Sequence, residues 1–311
     1  MAKDGGESMR QSLLSITGLL SLFTVAAIAD GQVELSTEAR RNAIIGLYEV
    51  QAQARMELQN PVDAHAERAR FKAMLAKKDP ERRFGAMERR TLTSFSKFYD
   101  KWGDSGSTKN LINLLQAIND AKGRYNPPPR GTLSDFSKTL KEMAESSTLL
   151  ADRPTLLEAA DNASWINQNL DGASLERLNP ASRPSFVGLF QLLADYQLTS
   201  DSLMLNLLAT DLRIMKEHCR TTGQRADQPT QFTVDTIDAN NTKLPNWVVY
   251  AVSLANEVKR VGNPSTPVAG ELMPGEWIFF AEKEGERSLG ERHIVSKGKL
   301  EPPNILIKKR Q

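Results

Sequence analysis

Three consecutive prolines, Pro127, Pro128 and Pro129, interrupt this chain at RYNPPPRG, residues 124–131. None of them supplies an amide hydrogen, and each favours extended polyproline geometry, so no helix passes through the stretch. The stretch reads as the main internal joint, a hinge between two helical subdomains of one body. The chain of 311 residues is long enough to give each subdomain a core of its own. A hydrophobic share of 40% with 25% charged residues is that of a folded protein.

Between the leading segment and the prolines the periodicity is helical. Ser36 or Thr37 caps a helix carrying Ile44, Leu47, Tyr48 and Gln51, with Glu38 at its positive end. Asn60-Pro61 and Asp79-Pro80 each read as a cap followed by proline at the first helical position. Phe84, Met87, Phe95, Phe98 and Trp102 then form one stripe, and Leu111, Ile112, Leu114, Leu115 and Ile118 another that ends near Gly123.

Beyond the prolines, Leu133, Phe136, Leu140 and Met143 mark a short helix, and a longer one runs from Pro154 through Trp165 towards Leu170. NPASRP interrupts at 179–184. Phe186, Leu189, Phe190 and Leu193 follow on one face, then Leu203, Leu205, Leu207, Leu208 and Leu212 in a more completely apolar helix. From about Thr222 the pattern changes. QFTVDTI alternates as a strand does, NWVVYAVSLANEVKRV reads as one more helix opened by Pro245, and Trp277–Ala281 and His293–Ser296 read as two strands of a charged hairpin. The tail PPNILIKKRQ is an edge strand or hangs free. The resulting expectation is a mainly α fold. It has a segment over 1–30, a helical subdomain over 31–123, a second over 132–222, and a small α+β portion over 223–311.

The leading segment carries the strongest functional signal. From Ser12 to Ala29 no residue is charged, and the run closes on Ala27-Ile28-Ala29 before Asp30-Gly31. An apolar core followed by small side chains at alternate positions is the pattern of a secretory leader, with cleavage between Ala29 and Asp30. Asp4 and Glu7 weaken the basic start, whereas a start at Met9 would open with Met9-Arg10-Gln11. A retained anchor needs about twenty predominantly apolar residues, which this run only just supplies. Arg40 and Arg41 on its far side match Lys3 and Arg10 on its near side, so basic flanks do not decide an orientation. A buried helix, or an arm exchanged between subunits, is the third reading.

Candidate chemistry is sparse. Cys219 is the only cysteine, which excludes an internal disulfide and a multi-cysteine zinc site, and the only histidines are His65, His218 and His293. His218 stands beside Cys219 in KEHCRTTG. Adjacent helical residues point about 100° apart, and a helix end with Arg220 in its last turn and Gly223 as its cap explains the stretch better than a thiolate–imidazole pair. Glu158 and Asp161 lie three apart on one helix face without a histidine, a spacing more typical of a surface pair than of a metal site. No phosphate-binding glycine loop, HExxH or GxSxG is present. No catalytic residue, metal, cofactor or small-molecule ligand is expected.

One basic run stands out against a net charge of only +2. Residues 67–90 hold Arg68, Arg70, Lys72, Lys77, Lys78, Arg82, Arg83, Arg89 and Arg90 against four acids. A solvated face with intrahelical pairing accounts for such a run, and so does contact with the phosphates of nucleic acid or an anionic membrane. Two functions are therefore expected of the chain. The first is a non-enzymatic structural subunit of a larger assembly, extracytoplasmic (periplasmic or secreted), that works by contact with like or unlike protein subunits. The alternative is a helical nucleoprotein or capsid-like subunit, in a virion or the cytoplasm, that binds RNA through the basic face and self-assembles through its N-terminal arm.

Overall fold

A computed structural model describes residues 37–60, 108–146, 150–171, 173–255, 257–261, 268–296, 299–301 and 304–308. Two compact units divide between Asn126 and Pro127. The first contains α1 (Thr37–Gln59) and α2 (Thr108–Tyr125), which pack against each other. Ile44, Leu47, Tyr48, Leu58, Leu111, Leu115 and Ile118 fill the seam. Lys122 is buried there, its ammonium over the Tyr48 ring at 4.4 Å and bonded to Gln51 Oε1 at 3.1 Å, so the cation is solvated by the fold rather than by water. Arg40 reaches across to donate to the Tyr125 carbonyl at 2.8 Å, where the end of α2 leaves acceptors unsatisfied. Gly123 lies inside α2, which runs two residues past it.

The second unit opens with α3 (Leu133–Ser146), α4 (Arg153–Asn169), α5 (Arg183–Thr199) and α6 (Ser202–Thr222). Thr132 and Asp135 start α3 by a reciprocal cap: the Asp135 amide donates to Thr132 Oγ1, and the Thr132 amide and hydroxyl donate to Asp135 Oδ2. Those donations hold the Asp135 carboxyl below its ordinary range. Gly223, at φ 68, ends α6 in the left-handed conformation that a side chain resists. α3 packs on α4, α4 on α6 and α6 on α5, and the Phe136 and Phe190 rings, 4.8 Å apart, bring α3 to α5. The four helices thus enclose a common core.

Nine strands follow among the described residues, so the expectation of a mainly α, all-helical chain fails: these residues are about 53% helix and 24% strand, a mixed α/β fold. β4 (Val268–Leu272), β1 (Thr230–Ile237) and β9 (Asn304–Leu306) form one sheet in that order. The other runs β3 (Val258–Val261), β2 (Val248–Ser253), β5 (Gly275–Lys283), β7 (Glu291–Ser296), β8 (Lys299–Glu301), with the two-residue β6 (Glu286–Arg287) paired to β5. Phe232 of β1 meets Phe279 of β5 edge to face at 5.9 Å, which joins the sheets over one core.

The stretch read as a last helix is β2 and β3. Val249, Ala251 and Val252 are fully buried, and Tyr250 stacks on Phe280 of β5 at 5.3 Å, so β2 is covered on both faces and loses the polar alternation that marks a strand. Its β-branched valines suit the pleated sheet better than a helix. α6 lies against β5 and β7, which makes the helices and sheets parts of one unit. Glu291 of β7 ties down the C-terminal strand. Burial disfavours its charge, but His293, the Leu306 amide and Lys308 outweigh that and hold its carboxyl below the usual range.

Candidate functional site

The residues singled out for chemistry fall into two groups. Ala27, Ala29 and Asp30 of the leader, the basic residues from Arg68 to Arg90, the stripe from Phe84 to Trp102 and the Asp79-Pro80 corner lie outside the described residues. His218, Cys219, Glu158 and Asp161 are described, and their surroundings can be built up from the fold.

His218 is fully buried at the end of α6. Its Nε2 lies 2.9 Å from Gln224 Oε1 and 3.1 Å from the Thr230 hydroxyl, so the ring clamps the helix end to the loop after it and to the first residue of β1. Burial pushes its pKa below the ordinary value despite the bond to Gln224. Cys219 is buried too, and burial lifts its thiol to about 11, against a lowering backbone hydrogen bond and with the Asp227 charge adding to the rise. A protonated thiol beside a neutral, hydrogen-bonded imidazole is a packing arrangement; a nucleophile needs the thiolate.

Glu158 and Asp161 are exposed on α4, and Asp161 pairs at 3.9 Å with Lys141 of α3. Among the described residues no group of acidic, histidine or cysteine side chains is arranged to hold a metal ion. Among them, too, no helix is long and apolar enough to cross a membrane.

A cleft lies where α5 and α6 meet the start of β5, walled by Leu189, Met215, Met273 and Trp277 with Ser185, Asp211 and Ser253 among its polar groups. These groups serve the fold. Ser185 donates to Glu257 Oε2 at 2.7 Å, the Ser253 hydroxyl accepts from the Glu257 amide at 2.9 Å, and Asp211 Oδ1 faces the Glu276 amide. Gly188 of α5 is needed for the close approach, because a Cβ there would stand 2.5 Å from the Ala255 methyl.

The surface that lacks such an internal explanation is the outer face of α4 with the neighbouring start of α6. Asp152 precedes α4 as its cap residue, yet its side chain makes no capping bond. Instead Oδ2 accepts from the Tyr196 hydroxyl at 2.9 Å and Oδ1 from the Ser202 hydroxyl at 2.7 Å. One buried carboxylate thereby pins the start of α4, the end of α5 and the start of α6 together. Burial, and then the hydrogen bond and charge of Asp152, raise the Tyr196 pKa well above its usual value.

With the starts of α4 and α6 joined by the Ser202–Asp152 bond, the bond from Lys216 of α6 to Asn162 of α4 at 2.8 Å sets the two helices side by side in the same direction. Pinned in this way, Leu150 and Leu203 are held at one end of the bundle, 76% and 48% exposed, with Leu157 of α4 at 42%. The apolar periodicity misled here, since Leu203 counted as part of a core stripe. The helix buries Met204, Leu205, Leu208 and Leu212, and that arc leaves position 203 outside.

The fold therefore defines a mixed α/β protein, a helical bundle continued into two packed sheets. Comparison of the chain with protein-family models, with curated proteins and with solved structures finds no match.

Proposed function

We propose that this chain is a non-enzymatic interaction subunit of a larger, extracytoplasmic assembly, and that it works through protein contact at the α4 end of its helical bundle. The observation that carries the reading is the placement of Leu150, Leu157 and Leu203 in solvent by a bundle that fully buries Leu156 and Ile166 of the same α4. Large exposed apolar side chains grouped on one surface mark contact sites. The Asp152 bonds hold that surface rigid, which lowers the entropy lost on association. Export rests on the uncharged run from Ser12 to Ala29 and the small-residue triplet that closes it.

Two measurements on the natively produced protein test the reading. Intact mass should fall short of 34.5 kDa by about thirty residues, the length of a secretory leader. Native gel filtration should place the chain in a complex larger than a monomer. A chain of full mass that runs as a monomer in the cytoplasmic fraction would overturn it. So would steeply salt-dependent binding of single-stranded RNA that disappears with Arg82→Ala and Arg83→Ala, the behaviour of the nucleoprotein alternative.

A further inference from the structure

We propose that two copies of this chain associate through α4, packed antiparallel on its own counterpart about Leu157; this rests on the reading of the chain as an interaction subunit and names one partner for it. α4 buries Leu156, Ala159, Ala160, Asn162, Ala163 and Ile166. At 100° per residue Arg153, Leu157, Asp161 and Ser164 form one stripe along the helix, with Asp161 facing away from the buried arc and Arg153 and Ser164 on its flank, and Leu150 lies in the turn just before the helix begins. Arg153 is exposed, Leu157 is 42% and Leu150 76% exposed, and the Asp161 side chain is 71% exposed.

The stripe is self-complementary in one direction only. A two-fold axis at Leu157 pairs each residue with the one equally far beyond it on the other copy. Arg153, four residues before Leu157, then meets Asp161 of the partner subunit, four residues after it, and the same pair recurs across the axis. Leu157 meets its own counterpart between the two ion pairs. A parallel arrangement would set arginine on arginine and aspartate on aspartate, so charge selects the antiparallel, isologous contact that closes on itself as a dimer. Lys141 is the internal partner of Asp161, but that pair spans 3.9 Å between two well-exposed groups, a weak contact that leaves room for a second cation.

The test uses the full chain. Leu157→Cys places a thiol on the axis, and the only other cysteine, Cys219, is buried. Mild oxidation should give a covalent dimer roughly tenfold faster than it does for Lys138→Cys, an exposed position on α3, because thiol–disulfide chemistry follows access and proximity. In sedimentation velocity, Arg153→Asp or Asp161→Arg alone should each weaken self-association by roughly tenfold, and the two reversals together should restore it. The proposal is overturned if the chain stays a monomer at hundreds of micromolar, if Leu157→Cys oxidises no faster than the α3 control, or if the double reversal does not rescue. A native complex that persists while these three fail would keep the interaction-subunit reading and remove only this interface.

Discussion

Tyr196→Phe deletes one oxygen from the joint that positions the α4 surface, and its cost can be worked from the contacts. The Tyr196 ring is buried and stays in place as phenylalanine, so no cavity opens. What disappears is a 2.9 Å donor to a carboxylate that is itself only 7% exposed and that also accepts from Ser202. A hydrogen bond to a charged group contributes about 1.5–3 kcal/mol, and little water can enter to replace it. For a unit of this size that loss corresponds to a fall in Tm of roughly 3–12 °C. Because the two compact units need not unfold together, the assay is hydrogen exchange of the α4–α6 amides alongside guanidinium unfolding. Ser202→Ala should couple to the change, the double variant costing less than the sum because both hydroxyls serve one carboxylate. A Tyr196→Phe variant within about 0.5 kcal/mol of the parent, the size of an ordinary surface change, would refute the joint as described. The same tyrosine adds an alkaline limit: its folded pKa is raised, so its contribution is complete below the unfolded value of 10.0 and declines as pH rises beyond it.

Three other perturbations have definite outcomes. His218 is held neutral with a depressed pKa, so stability should be full above its ordinary value of 6.5 and fall as pH drops below it; the unfolding midpoint between pH 7 and 5 should flatten in His218→Gln, and an unchanged slope would locate the dependence elsewhere. Cys219, its thiol at about 11, should resist a thiol reagent at pH 8 in the native protein and take up one equivalent in guanidinium; rapid native labelling would contradict its burial. Gly188→Ala should destabilise by about 1–3 kcal/mol through overlap with Ala255, whereas Gly123→Ala, in α2 with open space around it, should stabilise by about 0.5–1 kcal/mol; equal effects in thermal denaturation would mean that the close approach of α5 is wrong.

The second half's helices were legible because their signals are local. Thr132 and Asp135 meet within one turn, Pro154 sits in the first turn of α4, and Gly223 supplies the left-handed cap. Each of these depends on residues a few positions apart, so the order of residues alone carries it. β1, β5 and β7 alternate or are rich in β-branched and aromatic residues, and they too were readable. β2 was not, because a strand buried on both faces is apolar throughout, and β4, with Ala269 and Gly270 at its centre, carries no strand signal at all.

By itself, then, the order of residues determined where the described helices run and which arc of most of them is apolar, and it marked the leader and the basic run as the segments to test. The tertiary structure decided the rest. It turned Val248–Val261 into paired strands, because β2 is hydrogen-bonded not only to β3 beside it but also, on its other side, to β5, more than twenty residues away. It diverted Asp152 from capping its own helix to joining two others, since Tyr196 and Ser202 reach it only after the bundle forms. It also set Leu150, Leu157 and Leu203 in solvent, because exposure depends on which neighbours arrive, and neighbours distant in the chain cannot be counted along it.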